Sequence, residues 1–255
     1  LLDSTIRIAT PLIFCAMAGI FSERSGIIDI GLEGKMLLSA FVAATATFLT
    51  GSPILGLFAA ILASCSASLI HGFACITHKG DQVISGLAIN ILASGLTITL
   101  GIALFSRGGQ TPPLASEQRF MPIDFPFLDQ ASHVPFLGDL FVEVISGHNM
   151  LVYLSVFAVF FTYYVIFKTR FGLRLRAVGE KPEAVDTAGI SVIKMRYQSI
   201  LIAGMLCGLA GAYLSIAHGA GFGREMSAGK GYIALAAMIF GKWSPIPTLL
   251  ACLLF

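Results

Sequence analysis

The chain has 255 residues, 56% of them hydrophobic and 12% charged, with a formal net charge of +2. A soluble domain carries about 25% charged residues, so this composition argues against one and for a polytopic membrane protein. The charge sum says little; where the charges fall along the chain says much more.

About 20 apolar residues cross a bilayer as one helix, and runs of that kind predict helices at 5–21, 34–50, 54–76, 83–105, 149–167 and 197–217. The first run has no basic flank beyond Arg7 and no small-residue cleavage site before Ser22-Glu23-Arg24, so it does not read as a signal peptide. The fold class expected is all-α: a polytopic transmembrane helical bundle with broken or re-entrant helices, forming one domain over residues 1–255.

Between the first two runs lies Ser22-Glu-Arg-Ser-Gly26-Ile-Ile-Asp29-Ile-Gly31-Leu-Glu33-Gly34-Lys35. Asp29 and Glu33, spaced i,i+4, would set two like charges on one helical face, and the glycines weaken a helix there. Two readings stand. The segment is a broken or re-entrant element lining a pathway, with Asp29 and Glu33 as gate candidates; or it is a short turn in which Glu33 pairs with Arg24 or Lys35.

No formal charge occurs from Met36 to Thr77, and the loop His78-Lys79-Gly80-Asp81 follows. In the next run Asn90 stands with Ser85 and Gln82 one and two turns earlier. The three are pathway candidates for a polar solute, or they make interhelical packing bonds. Segment 106–148 carries Glu117, Asp124, Asp129, Asp139 and Glu143 against Arg107 and Arg119. Its prolines 112, 113, 122, 126 and 135 break any long helix. It is expected outside the membrane.

Of the 16 Lys/Arg residues, seven (Lys168, Arg170, Arg174, Arg176, Lys181, Lys194, Arg196) lie in 168–196, between flanks free of Lys, Arg, Asp and Glu. The positive-inside rule places this loop, and 78–81, in the cytoplasm. Pro182 suits a first helical position, Glu183 and Asp186 suit the positive end of a helix dipole, Gly189 suits a stop and Ser191 a cap. A helix over about 182–188 follows, with Ala184, Val185 and Ala188 as a small apolar face. Alone in water it is marginal, so it calls for a docking surface; the alternative is a solvated linker that holds topology by charge.

Gly204 and Gly208 form a small-xxx-small pair, a helix-packing signal. The stretch Ala220 to Tyr232 resembles a phosphate loop only superficially, since Gly223 is one residue too far from Gly229 and no Ser or Thr follows Lys230. A Gly-rich turn into a short re-entrant helix is expected there. After it come an apolar piece, 232–240, and a run from Ile246 that reads as an incomplete last span. The five cysteines read as packing residues, and the scattered His71, His133, His148 and His218 support no metal site. No nucleophile–base–orienter set appears. The chain is expected to be no enzyme, to hold no cofactor or metal, and to bind no nucleic acid.

Four segments carry a resemblance. They are Ser22 to Gly34, Gln82-Val-Ile-Ser-Gly-Leu-Ala-Ile-Asn90, Arg176-Ala-Val-Gly-Glu-Lys-Pro-Glu-Ala-Val-Asp-Thr-Ala-Gly-Ile190, and Gly231-Tyr-Ile-Ala-Leu-Ala-Ala-Met-Ile-Phe-Gly-Lys-Trp243. In this order they resemble the permease subunits of bacterial ABC importers related to branched-chain amino acid and ribose permeases. The nearest likeness is to the shorter permease of nucleoside or simple-sugar systems served by a basic-membrane-protein-type lipoprotein. The resemblance implies a multi-pass protein of the bacterial inner membrane. Its partners would be ABC ATPase subunits, a second permease subunit (a copy of itself or a longer sister), and an external substrate-binding lipoprotein.

It also implies that 176–190 is the coupling helix seated in a groove of the ATPase. Arg176, Gly179, Glu180, Lys181, Pro182, Glu183, Ala184, Val185, Ala188 and Gly189 are then the coupling candidates. Asp29 stands where this type usually has Asn, and Lys181 replaces a common Asn. The expected solutes are nucleosides or simple sugars. Branched-chain amino acids or ribose are the alternative, and a stand-alone secondary transporter or a membrane-embedded enzyme are rivals from other classes.

Overall fold

The computed structural model describes residues 2–123 and 147–255. Among these are ten α-helices: α1 (Leu2–Arg24), α2 (Leu32–Thr50), α3 (Pro53–Gly72), α4 (Gln82–Phe105), α5 (Met150–Lys168), α6 (Arg170–Glu180), α7 (Pro182–Thr187), α8 (Val192–Ala212), α9 (Lys230–Phe240) and α10 (Pro245–Leu254). π-helical turns continue α3 through Phe73–Thr77 and α8 through Tyr213–His218. Six of the helices are long and apolar enough to cross a membrane, and they coincide with the six expected runs. The molecule is an all-α bundle. Among the described residues one small ribbon pairs Pro122–Ile123 (β1) with His148–Asn149 (β2). Asp124, Asp129, Asp139, Glu143, Pro126, Pro135 and His133 of the expected outer loop lie outside the described residues.

Local sequence explains where most helices start. Asp81 accepts from the Val83 and Ile84 amides, Asn149 from Val152, Thr169 from Gly172 and Ser191 from Lys194. Pro53, Pro182 and Pro245 each occupy a first helical turn, where a missing N–H costs nothing. Two boundaries differ from expectation. The sixth span begins at Val192 instead of 197, because the Ser191 cap lets the helix start before Lys194 and Arg196, whose long side chains tolerate a helix end. Residues 170–180, expected as loop, form α6. Phe171, Leu175 and Val178 fall on one face at helical spacing, and Leu175 and Val178 are buried.

At the centre, α1 runs antiparallel to α8. Tyr213 donates its hydroxyl to the Arg7 carbonyl (2.9 Å), Cys15 and Cys207 meet in the middle (3.9 Å), and Ser199 donates to the Phe21 carbonyl. α3 packs along α8 at the expected glycines: a Cβ on Gly208 would lie 2.7 Å from the Ile61 Cα, and one on Gly204 would lie 3.1 Å from the Cys65 Cα. The loops 78–81 and 168–196 share one end of the bundle, where Thr77 meets Tyr197 at 2.6 Å. The start of 106–148 lies at the other end, tied to the chain after α8 by Thr111 N–H to Phe222 O (3.1 Å) and Phe120 N–H to Ile216 O (3.0 Å).

The expected apolar pieces at the C-terminal side are α9 and α10. They are joined by a turn in which Lys242 and Trp243 both take positive φ (52° and 53°). No group of His, Cys, Asp or Glu suited to a metal occurs among the described residues.

Candidate functional site

The bundle is interrupted between α1 and α2. Gly26 turns the chain with φ of +81°, and the Ser25 carbonyl takes the Arg196 guanidinium (3.3 Å) at the basic end. The Leu32 carbonyl, where α2 opens, accepts from Cys207 (3.3 Å), just past the middle of the span Val192–His218 that α8 makes with its π-helical turn. Residues 25–31 therefore climb from the basic end to mid-height without forming a helix. Nonhelical backbone at such depth survives only when protein or water satisfies it.

Three neighbouring side chains do so. Gln82 accepts the Ile28 N–H (2.7 Å); Asn90 accepts the Gly34 N–H (2.8 Å) and donates to the Ile30 carbonyl (3.1 Å); His71 Nε2 lies 3.2 Å from the Ile28 carbonyl. Ser85 in turn holds the other nitrogen of His71 (3.0 Å). The structure thus brings Asp29, Glu33, Gln82, Ser85 and Asn90 together around one break, and the α4 residues act there as interhelical stitches.

The charges sort themselves differently from expectation. Asp29 lies before α2, so the i,i+4 repulsion with Glu33 does not arise. Its carboxylate meets Lys35 Nζ at 2.5 Å, both side chains fully buried, with His71 Nε2 3.9 Å from the second oxygen. Glu33 pairs with neither Arg24 nor Lys35. Its two oxygens accept the Gly229 and Gly231 amides (2.8 and 2.6 Å) at the start of α9, where the helix dipole favours an anion. Arg24 donates instead to the Trp243 carbonyl (3.1 Å). Sequence reading set Lys35 against Glu33 instead of Asp29 and left His71 out of this cluster. The signal was present: Lys35 is the last charge before a charge-free stretch reaching Thr77, and a lone cation inside an apolar helix needs a partner.

At the basic end α6 and α7 form an elbow. Pro182 opens α7 and the Gly189 turn (φ +78°) closes it, as their chemistry predicts. The expected apolar face divides. Val185 is buried within its own chain, whereas Ala184 and Ala188 stay exposed together with Glu180, Lys181 and Glu183. A cavity of about 380 Å³ lies between α6 and α7, lined by Leu173, Ala177, Ala184 and Ala188 among others. Arg176 is held by its own chain, over the Phe167 ring at 5.1 Å. Gly179 touches the break itself: a Cβ there would lie 2.4 Å from the Arg24 carbonyl and 3.3 Å from the Gly26 nitrogen.

The family described as branched-chain amino acid transport system / permease component matches residues 1–255. The chain belongs to this family. Among its relatives, the guanosine ABC transporter permease protein NupQ of Bacillus subtilis (strain 168) is 39% identical over 100% of this chain and 79% of its own length. The nucleoside ABC transporter permease protein NupC of Lactococcus lactis subsp. cremoris (strain MG1363) is 37% identical over 97% and 77%. The putative glucose ABC transporter permease protein TsgC13 of Haloferax volcanii is 33% identical over 100% and 74%. No solved structure matches. The protein is a multi-pass membrane permease, a transport component and not an enzyme.

Proposed function

We propose that the permease is the membrane subunit of an ATP-driven importer that carries nucleosides across the bacterial cytoplasmic membrane. ABC ATPase subunits dock on the basic end formed by α6 and α7, which faces the cytoplasm. A second permease subunit completes the pathway, and an external lipoprotein delivers the solute. This chain contributes no nucleotide or cofactor site. The solutes for which NupQ and NupC are named support nucleosides, and that of TsgC13 keeps a simple sugar as the second reading.

The observation that carries the reading is the backbone contact of Gly179 with Arg24 and Gly26. When ATP closes the ATPases, a push on α7 passes through Lys181 and the last turn of α6 into residues 25–31. Those residues are bonded to α4 through Gln82 and Asn90, so the same displacement reaches the helix that edges the pathway. ATP can bias the two access states only because the docked elbow fits them unequally.

Deleting residues 180–190 abolishes ATP-dependent uptake in proteoliposomes of the assembled transporter, while the permease still inserts in the membrane. Gly179→Val, which forces a methyl-bearing carbon against the Arg24 carbonyl, lowers uptake while the ATPase still co-purifies. Normal ATP-coupled uptake in the deletion overturns the coupling role.

A further inference from the structure

Halfway across the bundle, on its outer surface, four polar side chains converge. Ser94 sits midway along α4, about 18 Å from its first residue at 1.5 Å per residue, and donates its hydroxyl to the Glu225 carboxylate. One turn earlier Asn90 donates to the Tyr232 hydroxyl (2.7 Å). Glu225 and Tyr232 belong to the stretch that Glu33 anchors at Gly229 and Gly231, level with the mid-height start of α2. Two independent registers thus give the same depth.

Asn90 and Ser94 are half-buried, and the groups they hold lie at the surface, Tyr232 being 44% exposed. Glu225 is also exposed and has no ion-pair partner among the described residues. An acidic side chain at mid-depth against lipid is strongly disfavoured, so this face does not border hydrocarbon. Glu225 and Ala228 also hold positive φ (51° and 47°), a conformation that non-glycine residues take at a cost and that clusters at functional sites.

We infer that Asn90, Ser94, Glu225 and Tyr232 form the solute-contact face of the pathway, with Glu225 and Tyr232 as its selecting pair for nucleosides. The inference rests on the nucleoside reading above. The Glu225 carboxylate accepts hydrogen bonds only, and Ser94 occupies one of its oxygens, leaving the other for ribose hydroxyls. The half-exposed Tyr232 ring offers a flat apolar surface for a base, its hydroxyl already held by Asn90. A free base lacks the hydroxyls and a bare sugar lacks the plane. A compound carrying both meets both groups.

The test uses the assembled transporter in proteoliposomes, with single cysteines that leave Glu225 and Tyr232 in place: Ser94→Cys, a small-for-small change, and Gly223→Cys, where an added Cβ meets open space. Four of the five native cysteines are buried and Cys65 is half-buried, so the unchanged chain sets the background. A charged, water-soluble thiol reagent labels the introduced cysteines, and guanosine supplied during turnover slows labelling several-fold, whereas ribose or guanine alone does not. Labelling only by a lipid-soluble reagent overturns the inference, as does labelling that guanosine leaves unchanged. Uptake by the unchanged transporter separates the two claims. If it imports guanosine with ATP and the cysteines stay unprotected, only the contact face fails; if it imports no nucleoside, the functional reading fails first.

Discussion

Asp29 and Lys35, with His71 beside them, form an ion pair whose two side chains are both fully buried. Removing one partner of such a pair costs about 3–5 kcal/mol, whereas replacing both with neutral groups is often tolerated. Lys35→Met and Asp29→Asn are therefore each expected to lower thermal stability strongly in detergent, and the double variant Asp29→Asn/Lys35→Met to recover most of the loss. A double variant as unstable as the sum of the singles would show that the two charges do not act together. The acids Asp29 and Glu33 were legible as special from their place between apolar runs. Their partners were not. Lys35 lies six residues after Asp29 but turns back to it only because α2 starts after the break, and Gly229 and Gly231 reach Glu33 from almost 200 positions away.

At the scale of elements, helix existence followed from charge-free length and from start signals such as Pro53, Asp81 and Ser191. α6 was hidden because its outward side carries Arg170 and Arg174, so an average over the stretch reads as loop although Leu175 and Val178 repeat at helical spacing. The α3–α8 seam depends on the absence of side chains. Gly208→Leu should destabilise the bundle by about 1–3 kcal/mol or more, since its Cβ would start 2.7 Å from the Ile61 Cα in backbone that has no room to yield. The check is the melting temperature of the purified permease beside Gly95→Leu, a control glycine on α4 with open space around it. Equal melting of the two would remove the seam from the account.

For the whole molecule, sidedness sets how the elbow and the break are used. A cysteine at Lys194 should be modified by an impermeant reagent only from the cytoplasmic side, and one at Ser52 only from outside, measured on intact cells against inside-out vesicles. The reverse pattern would place the elbow beyond reach of any ATPase. The six crossings, the basic end and the helical turn at Pro182 were all determined by sequence alone, because length, charge and turn chemistry act over a few residues and the bilayer punishes exceptions. Only tertiary structure decided that residues 25–31 climb to mid-height, that Gly179 bears on them, and that Glu225 and Tyr232 meet α4 there. Those contacts join positions remote in sequence, and their geometry is set by how closely glycines let helices approach and by which buried donors find acceptors.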